Sequence, residues 1–483
     1  MNLILEMLSI GSMILMTYLI FFSFGERRAT LLFTKEEKEN WDKVMAKSIG
    51  SWFTRTNIIG TLSSLATVYI FFIGSSKLFG FYIFICSITI WFGAYITNYF
   101  TDKICAIPYV KNILDSPNQT GGVIACLFWR PNEKESQLSA LLAKWISIIS
   151  IFAVIWFEFS LFADIAGGIV SFNIARSAIL LFLCALSVFY FTLKYGLRGF
   201  VFADFFQTPI LFISAIVLLI GVVILGFKSN LNTDLSIIFK PLLSTKDCIL
   251  FIIQVLSLNL FLVLVTEPHW LRVWMFGIKE SKLQKSSTLT TGLLWGVLAL
   301  IGLYGYEITL KPSGPVAIIS LLQKLSSFSK LFLVAFWVGG MAALFSTADG
   351  QIYSLLVVKK FDHKTGFLHE NKLRIKPFLM SVAGATLFSL LFIIVKYFKL
   401  PFEKMIFIAI PFCLNIIPAF VFSILKIRQK PIFIIISILL YITCSILGFF
   451  QSSNEFSWTL LAPFCPIAIS IIIYFLSELK LLK

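Results

Sequence analysis

Charged residues are scarce in this 483-residue sequence, since Asp, Glu, Lys and Arg together supply only 13% of it. An ordinary soluble domain is about 25% charged, because its surface must face water. Hydrophobic residues make up 58%, Phe occurs 52 times and the mean hydropathy is +0.92. The composition therefore excludes a soluble protein and predicts a polytopic membrane protein embedded in a lipid bilayer.

Histidine and acidic residues are also few: the chain has 3 His and 24 Asp or Glu, against 40 Lys or Arg. The histidines supply neither a metal-ligand cluster nor a catalytic triad, so we expect no enzyme and no cofactor. The basic excess is not arranged as a nucleic-acid-binding module, and no nucleic-acid partner is expected. Eight scattered cysteines lack disulfide or zinc spacing and are expected to be small buried hydrophobes.

Long apolar runs fill most of the chain. A spanning helix needs roughly 20 mostly apolar residues, and runs of this kind predict an all-α polytopic membrane protein of about 13 transmembrane helices. The segment Val316–Leu325 is too short to cross and is expected to form an interfacial or re-entrant helix. The predicted spans are centred near Ile14, Val68, Thr89, Phe152, Leu183, Ser214, Leu258, Val297, Ala342, Thr386, Cys413, Leu439 and Ile469.

The distribution of basic residues predicts the orientation. The first run has no basic residue before it and no small-residue cleavage site, while Arg27 and Arg28 follow it directly. We therefore predict a retained helix with its N-terminus outside. An odd number of spans places the C-terminus in the cytoplasm, and the basic loops 25–55 and 359–376 then lie inside, as the positive-inside rule requires. The predicted location is the cell inner (plasma) membrane.

Two predicted spans are interrupted by polar residues at corresponding places. The span near Val68 contains Ser63, Ser64 and Thr67, and the span near Leu258 contains Asn259 and ends at Thr266-Glu-Pro. The second lies five spans after the first. Interrupted segments at matching positions of two halves are typical of transporters built from inverted repeats, with the binding site at the repeat interface.

The stretch 191–207, FTLKYGLRGFVFADFFQ, carries the most specific motif. It resembles the signature of the sodium:solute symporter family, Tyr-Thr-x-x-Gly-Gly-Leu-x-Ala-Val-x-x-Thr-Asp-x-x-Gln. The stretch 341–351, MAALFSTADGQ, is similar to the family's Ala-Ala-x-x-Ser-Thr-x-Asp-Ser helix. The stretch 266–282, TEPHWLRVWMFGIKESK, resembles its Gln-x-x-x-Gln-Arg segment, with Arg272 retained. The signature residues that match at unbroken spacing are Thr192, Gly196, Leu197, Asp204 and Gln207.

The resemblance implies a LeuT-like fold, with a five-plus-five inverted repeat and peripheral helices at either end. The implied division is an N-terminal peripheral helix and cytoplasmic loop (1–56), a first repeat of five helices (57–227), a second repeat of five helices (248–427) and two C-terminal peripheral helices (428–483).

The resemblance also implies a sodium site. A sodium ion needs several oxygen ligands in place of its water, and neutral hydroxyls and backbone carbonyls can supply them. The implied ligands are the hydroxyls of Ser346 and Thr347 and the backbone carbonyls of Ala343, Ala66 and Tyr69. Alternatively, both hydroxyls bond to the carbonyl one turn earlier in their own helix.

Two further motif residues are expected on the inward ion-release route. Asp204 lies where the sixth span leaves the cytoplasm, and its carboxylate would attract a cation. The alternative is a solvated acid that complements the dipole at a helix start. Gln207, one turn on, would bond either to Asp204 or to a neighbouring helix.

Three residues are candidates for solute binding: Asn259, Glu267 and Thr67. Asn259 aligns with a sugar-contacting amide of the family, counted back from Arg272. Glu267 is an ionisable group near a predicted helix break, which indicates function, but it would alternatively pair with Arg272 or His269.

The function implied is a sodium-coupled secondary symporter that imports a small polar solute, such as a sugar, an amino acid or a carboxylate, by alternating access. Two alternatives stay open. One is proton coupling through Glu267 or Asp164. The other is a non-transporting sensor or scaffold, because Val68, Ile70 and Leu271 stand where relatives often carry polar residues. The solute and the oligomeric state are left open by the sequence.

Overall fold

The computed structural model describes residues 51–115, 123–228, 235–281, 283–310, 314–366, 377–400, 402–451, 457–480 and 482. Every element assigned in these ranges is a helix. The α-helices are α1 (Ser51–Thr61), α2 (Phe71–Phe79), α3 (Phe84–Cys105), α4 (Pro108–Asp115), α5 (Lys134–Val170), α6 (Ile174–Lys228), α7 (Leu235–Ile238), α8 (Thr245–Phe261), α9 (Glu267–Ser281), α10 (Gln284–Thr309), α11 (Gly314–Phe328), α12 (Lys330–Lys360), α13 (Pro377–Tyr397), α14 (Phe402–Ala409), α15 (Ile417–Ile424), α16 (Pro431–Phe450), α17 (Ser457–Leu461) and α18 (Cys465–Glu478). Short helices of other types are the π-helix Leu65–Ile70 and the 3₁₀ helices Gly80–Ile83, Ile124–Leu127, Ile410–Ile416 and Ala462–Phe464.

Ten helical runs in the described ranges are long and apolar enough to cross a membrane. One of them, Val68–Cys105, contains the two spans predicted near Val68 and Thr89. The span predicted near Leu258 corresponds to α8, whose 17 residues fall below the length of a span by themselves. The span predicted near Ile14 lies outside the described residues. The other nine runs each contain one predicted centre, so the polytopic membrane prediction is confirmed.

Helix α12 lies at the centre of the bundle. In its most apolar stretch 78% of the residues are buried within the protein, whereas the corresponding value for α16 is 28%. Helices α5, α6 and α11 pack against α12 from different sides. The polar motif at 341–351 therefore lies in the most enclosed part of the molecule, away from lipid, where irregular or polar groups can be satisfied by protein.

Two helical segments are broken where the sequence predicts interruptions. After α1, residues 62–64 leave the α-helical path before the π-helix Leu65–Ile70 begins. After α8, residues 262–266 form turns before α9 begins at Glu267. Breaks at membrane depth free backbone carbonyls and amides, and they are tolerated only where protein or a cavity surrounds them.

The segment predicted as interfacial or re-entrant forms α11, a 15-residue helix. It buries one face, including Ile318, Leu321 and Leu325, against neighbours that include α12 and α5. The division of the chain at 57–227 and 248–427 into two repeats stays a prediction.

Candidate functional site

The first helix break is held open by a buried carboxylate. Glu158 on α5 is completely buried, and its Oε2 accepts a hydrogen bond of 2.9 Å from the backbone N–H of Leu65. That N–H starts the π-helix and has no partner within its own segment, so Glu158 acts as its cap. On the other side of the break, the indole Nε1 of Trp295 donates to the carbonyl of Leu62 at 3.2 Å. Residues of α5 and α10 thus replace the hydrogen bonds that the broken helix lacks.

Replacing Glu158 with leucine is expected to destabilise the protein by about 1.5–3 kcal/mol, because the N–H of Leu65 would be buried without an acceptor. Glu158→Gln keeps an acceptor oxygen and should lose less. The measurement is the midpoint of thermal unfolding in detergent. Glu135→Leu, on the exposed part of the same helix, is the control. Equal midpoints for Glu158→Leu and Glu135→Leu would show that the break does not depend on this cap.

A buried hydrogen-bond network surrounds Asp204 at the centre of the molecule. The Asp204 side chain is completely buried on α6. Asn57 of α1 donates from Nδ2 to Asp204 Oδ2 at 2.5 Å, and Ser346 of α12 donates from its hydroxyl to Asp204 Oδ1. Asp204 therefore joins α1, α6 and α12. The alternative of a solvated acid at a helix start does not fit this environment, and neither does back-bonding of Ser346 to its own helix.

The network ends on a buried cation. Arg272 of α9 is 4% exposed, and its Nη1 donates to Asn57 Oδ1 at 3.4 Å and to Thr61 Oγ1 at 3.2 Å. Its positive charge attracts the Asp204 carboxylate across Asn57. The retained arginine of the third motif and the aspartate of the first are thus brought to one site. Their opposite charges offset part of the cost of burying each.

The backbone of α1 makes close contact with this network at Gly60. A Cβ atom at Gly60 would lie 2.1 Å from Ser346 Oγ and 2.8 Å from Asp204 Oδ1. Real side chains do not approach this closely, so only glycine fits between the hydroxyl and the carboxylate.

The remaining predicted sodium ligands lie on α12 and on the π-helix. Thr347 is 2% exposed, and its hydroxyl has no hydrogen-bond partner among the described residues. Ala343 is completely buried one turn earlier on α12. Ala66, Thr67 and Tyr69 belong to the π-helix, which packs against α12. The Tyr69 hydroxyl donates to the carbonyl of Leu211 at 2.9 Å.

The predicted partners of two other residues are not found. Both polar atoms of the Gln207 side chain are buried without a partner in the part of the chain that the structure describes. Glu267 accepts a hydrogen bond of 2.9 Å from the N–H of Ile124, and His269 Nε2 is 2.9 Å from Thr101 Oγ1. Ion pairs of Glu267 with Arg272 or His269 are absent from the described residues.

Asn259 connects two helices through its amide. Its Nδ2 donates to the carbonyl of Cys86 at 3.1 Å and to Thr89 Oγ1 at 2.9 Å. Both amide hydrogens are therefore engaged with α3 in this structure. The predicted solute contact of Asn259 stays a prediction.

Two cavities adjoin at the first break and share four lining residues, Thr61, Leu62, Leu262 and Ile410. The first, here called the polar cavity, is further lined by residues that include Ser150, Glu267, Arg272, Thr347 and Gln351. The second, here called the aromatic cavity, is further lined by residues that include Phe71, Phe72, Phe251, Trp295 and Phe407.

The sequence interpretation assigned no role to three residues that lie in or beside this network: Asn57, Gly60 and Asp349. Asp349 is 2% exposed on α12 and close enough to Asp204 for the two carboxyl groups to interact electrostatically. Asp349 lies inside the quoted motif, so its charge in an apolar helix was a usable signal. Asn57 and Gly60 precede the apolar run, and nothing local distinguishes them from ordinary helix-packing residues.

No protein-family model matches the sequence, and no curated protein sequence matches it. The structure is similar to the substrate-bound, outward-open structure of a Na+-coupled sialic acid symporter, with a TM-score of 0.62 at 13% identity over 97% of each chain. It also matches a manganese transporter of Eremococcus coleocola (TM-score 0.48, 13% identity, 90% of this chain and 94% of that one). A third match is Mhp1, a nucleobase-cation-symport-1 family transporter (TM-score 0.42, 12% identity, 89% and 93%).

The likeness to the sialic acid symporter covers almost the whole of both chains and identifies the fold. The chain is an all-helical, multi-pass membrane protein with the LeuT-like fold, as predicted. At this identity the likeness establishes architecture alone.

Proposed function

We propose that this chain is a sodium-coupled secondary transporter of the sodium:solute symporter type, which imports a small organic solute across the plasma membrane by alternating access. The N-terminus would lie outside and the C-terminus in the cytoplasm. The protein would bind and move its solute without chemical change, so it would not be an enzyme. For the solute, the sequence favours a sugar, an amino acid or a carboxylate.

One observation carries the proposal. On α12, the most buried of the described spans, the hydroxyl of Ser346 donates to the buried Asp204 carboxylate. The adjacent Thr347 lines the polar cavity, and its hydroxyl is buried without a partner among the described residues. A carboxylate, hydroxyls and carbonyls beside a helix break are the oxygen groups that replace the water of a sodium ion. Ala66, Tyr69 and Ala343 would supply the carbonyls.

The polar cavity supports a release route for the ion. Thr347 lines it together with Glu267 and Gln351, and the predicted topology places this side toward the cytoplasm. Gln207 and Asp204 would lie beside the exit. Inward movement of a sodium ion is driven by its gradient and by the membrane potential, about 2.3 kcal/mol per charge for each 100 mV.

The test is sodium-dependent thermal stabilisation of the purified protein, with potassium at equal ionic strength. Binding to the folded state alone raises its stability, by about 2.7 kcal/mol at one hundred times Kd. We expect a sodium-selective rise in the unfolding midpoint. Thr347→Val should abolish this rise and leave the sodium-free midpoint unchanged, because the lost hydroxyl has no partner among the residues that the structure describes.

Ser354→Ala is the matched control, since Ser354 lies on the same helix and its hydroxyl bonds back to Gly350 O at 2.9 Å. It should retain the full sodium response. Failure of sodium to stabilise the wild type would refute sodium coupling and leave a degenerate, non-transporting relative as one explanation.

Proton coupling is a second candidate, favoured by the proximity of Asp349 to Asp204. When two buried carboxyl groups interact, one of them tends to hold a proton, because like charges oppose full ionisation of both. Of the two proton-coupling residues suggested by the sequence, Glu267 and Asp164, the second pairs with Lys396 at 2.6 Å. Uptake that ignores sodium, rises at low pH and is lost in Asp349→Asn would support this candidate.

A further inference from the structure

The aromatic cavity contains no group that could neutralise a charged solute. Among its lining residues in the described chain there is no acid, lysine, arginine or histidine. An ionised group moved from water into such surroundings loses its hydration and gains no counter-charge. Carboxylates and zwitterionic amino acids are therefore poorly matched to this cavity.

The neutral polar side chains of the cavity are mostly engaged with the protein. Thr61 donates to Asn57 O at 2.7 Å and accepts from Arg272, and Asn259 uses both amide hydrogens on α3. Gln254 on α8 differs from them: it is 2% exposed, and its Oε1 has no hydrogen-bond partner among the described residues. Gln254 therefore brings to the cavity wall a buried acceptor that no described group uses. A sugar, with several hydroxyls, would leave most of them unsatisfied.

The walls of the cavity are aromatic rings. Phe71 lies edge-on to Phe407, with ring centroids 5.7 Å apart, and its centroid is 6.3 Å from that of Phe251. On another wall the centroids of Phe72 and Trp295 are 5.2 Å apart. Rings in such arrangements offer both faces and edges to a further ring, which prefers offset or edge-on contact.

We propose that the aromatic cavity binds an uncharged, planar aromatic solute, and that Gln254 Oε1 accepts a hydrogen bond from its N–H or O–H group. This rests on the proposed function, since it names the class of solute that the transporter carries. Gln254 is then a specificity-determining residue. The solute differs in class from the sugar, amino acid or carboxylate favoured by the sequence.

The experiment compares matched probes on the purified protein by thermal stabilisation, at saturating sodium and without it. Benzamide and benzoate share a ring and differ in charge, indole is a second neutral aromatic donor, and D-glucose and L-proline represent the competing classes. We expect stabilisation by benzamide or indole and none by the other three. In Gln254→Leu the Kd for the neutral aromatic should rise at least tenfold, while the sodium response stays.

Gln323→Leu, at an exposed position of α11, is the matched control and should bind the probes as the wild type does. A sodium response without any response to benzamide or indole would overturn this inference and leave the proposed function intact. Stabilisation by benzoate, glucose or proline that survives in Gln254→Leu would also overturn it. Binding of neutral aromatics without a sodium response would keep this inference and refute sodium coupling.

Discussion

Replacing Asp204 with asparagine is expected to lower the stability of the protein by about 3 kcal/mol and to remove sodium-dependent stabilisation. Asparagine has the shape of aspartate and, through its single oxygen, can still accept from one of the two donors, Asn57 or Ser346. What it lacks is the charge that balances Arg272, which is 4% exposed and donates its hydrogen bonds to the neutral oxygens of Asn57 and Thr61. A buried cation left without its counter-charge costs more than a lost neutral hydrogen bond.

The matched control is Asp164→Asn. Asp164 also pairs with a cation, Lys396, at 2.6 Å, but both side chains keep about a quarter of their exposure, 22% and 26%. Water screens such a pair, so its loss should cost no more than about 1 kcal/mol. Unfolding midpoints of both variants, with and without sodium, make the comparison. If the unfolding midpoints of the two variants fall equally and both variants respond to sodium, Asp204 is an ordinary structural acid.

A double variant tests whether the effect of Asp204 is electrostatic. Arg272→Met removes the cation and keeps an extended apolar side chain. If the charges compensate each other, Asp204→Asn combined with Arg272→Met should be less destabilised than the sum of the two single changes. Strictly additive losses would show that the two charges do not interact.

The sequence predicted the architecture well, because its signals are local. Apolar runs give the spans, and small polar residues within two of them mark the breaks at 62–64 and 262–266. Helix α8 is the instructive exception. Its helix ends at Phe261 although the apolar run continues, so α8 alone is too short to span a membrane. The end of α8 is therefore set by the break and not by the end of the apolar run.

The site was predicted only in part, because its residues meet through tertiary contacts. Ser346, Thr347 and Asp204 could be found by their motifs, but the hydrogen bond between Ser346 and Asp204 joins residues 142 positions apart. Asn57 contacts Asp204 across 147 positions, and no periodicity indicates such a pairing. Glu267 illustrates the converse: its charge near a break suggested pairing with Arg272, whereas the folded chain offers it a backbone amide instead.

The burial of the network explains why it combines charged side chains with a glycine. Asp204, Asn57 and Arg272 need one another because water is excluded, and water is excluded because α1 approaches α12 closely at Gly60. A transporter of this fold must alternately close and open such contacts. Hydrogen bonds that link α1, α6 and α12 would therefore have to change whenever the polar cavity opens to one side.

Gly60→Ala is expected to impair both stability and ion binding. The added Cβ would lie 2.1 Å from Ser346 Oγ and 2.8 Å from Asp204 Oδ1, distances that no real packing allows. Ser346 could avoid the methyl group by rotating, but rotation breaks its hydrogen bond to Asp204. Shifting α1 instead would disturb the bond from Asn57. Either way we expect a loss of about 1–3 kcal/mol and a weaker sodium response.

Gly350→Ala is the control with the same chemical change on α12, next to Asp349. A Cβ at Gly350 meets nothing within 4 Å. Because alanine favours a helix over glycine by about 1 kcal/mol, this variant should be as stable as the wild type or slightly more stable, with an unchanged sodium response. The pair is compared by unfolding midpoints over a sodium titration. If Gly60→Ala left both the midpoint and the sodium response unchanged, α1 would not constrain the contact between Ser346 and Asp204. The proposed link between the helix break and the proposed sodium site would then be wrong.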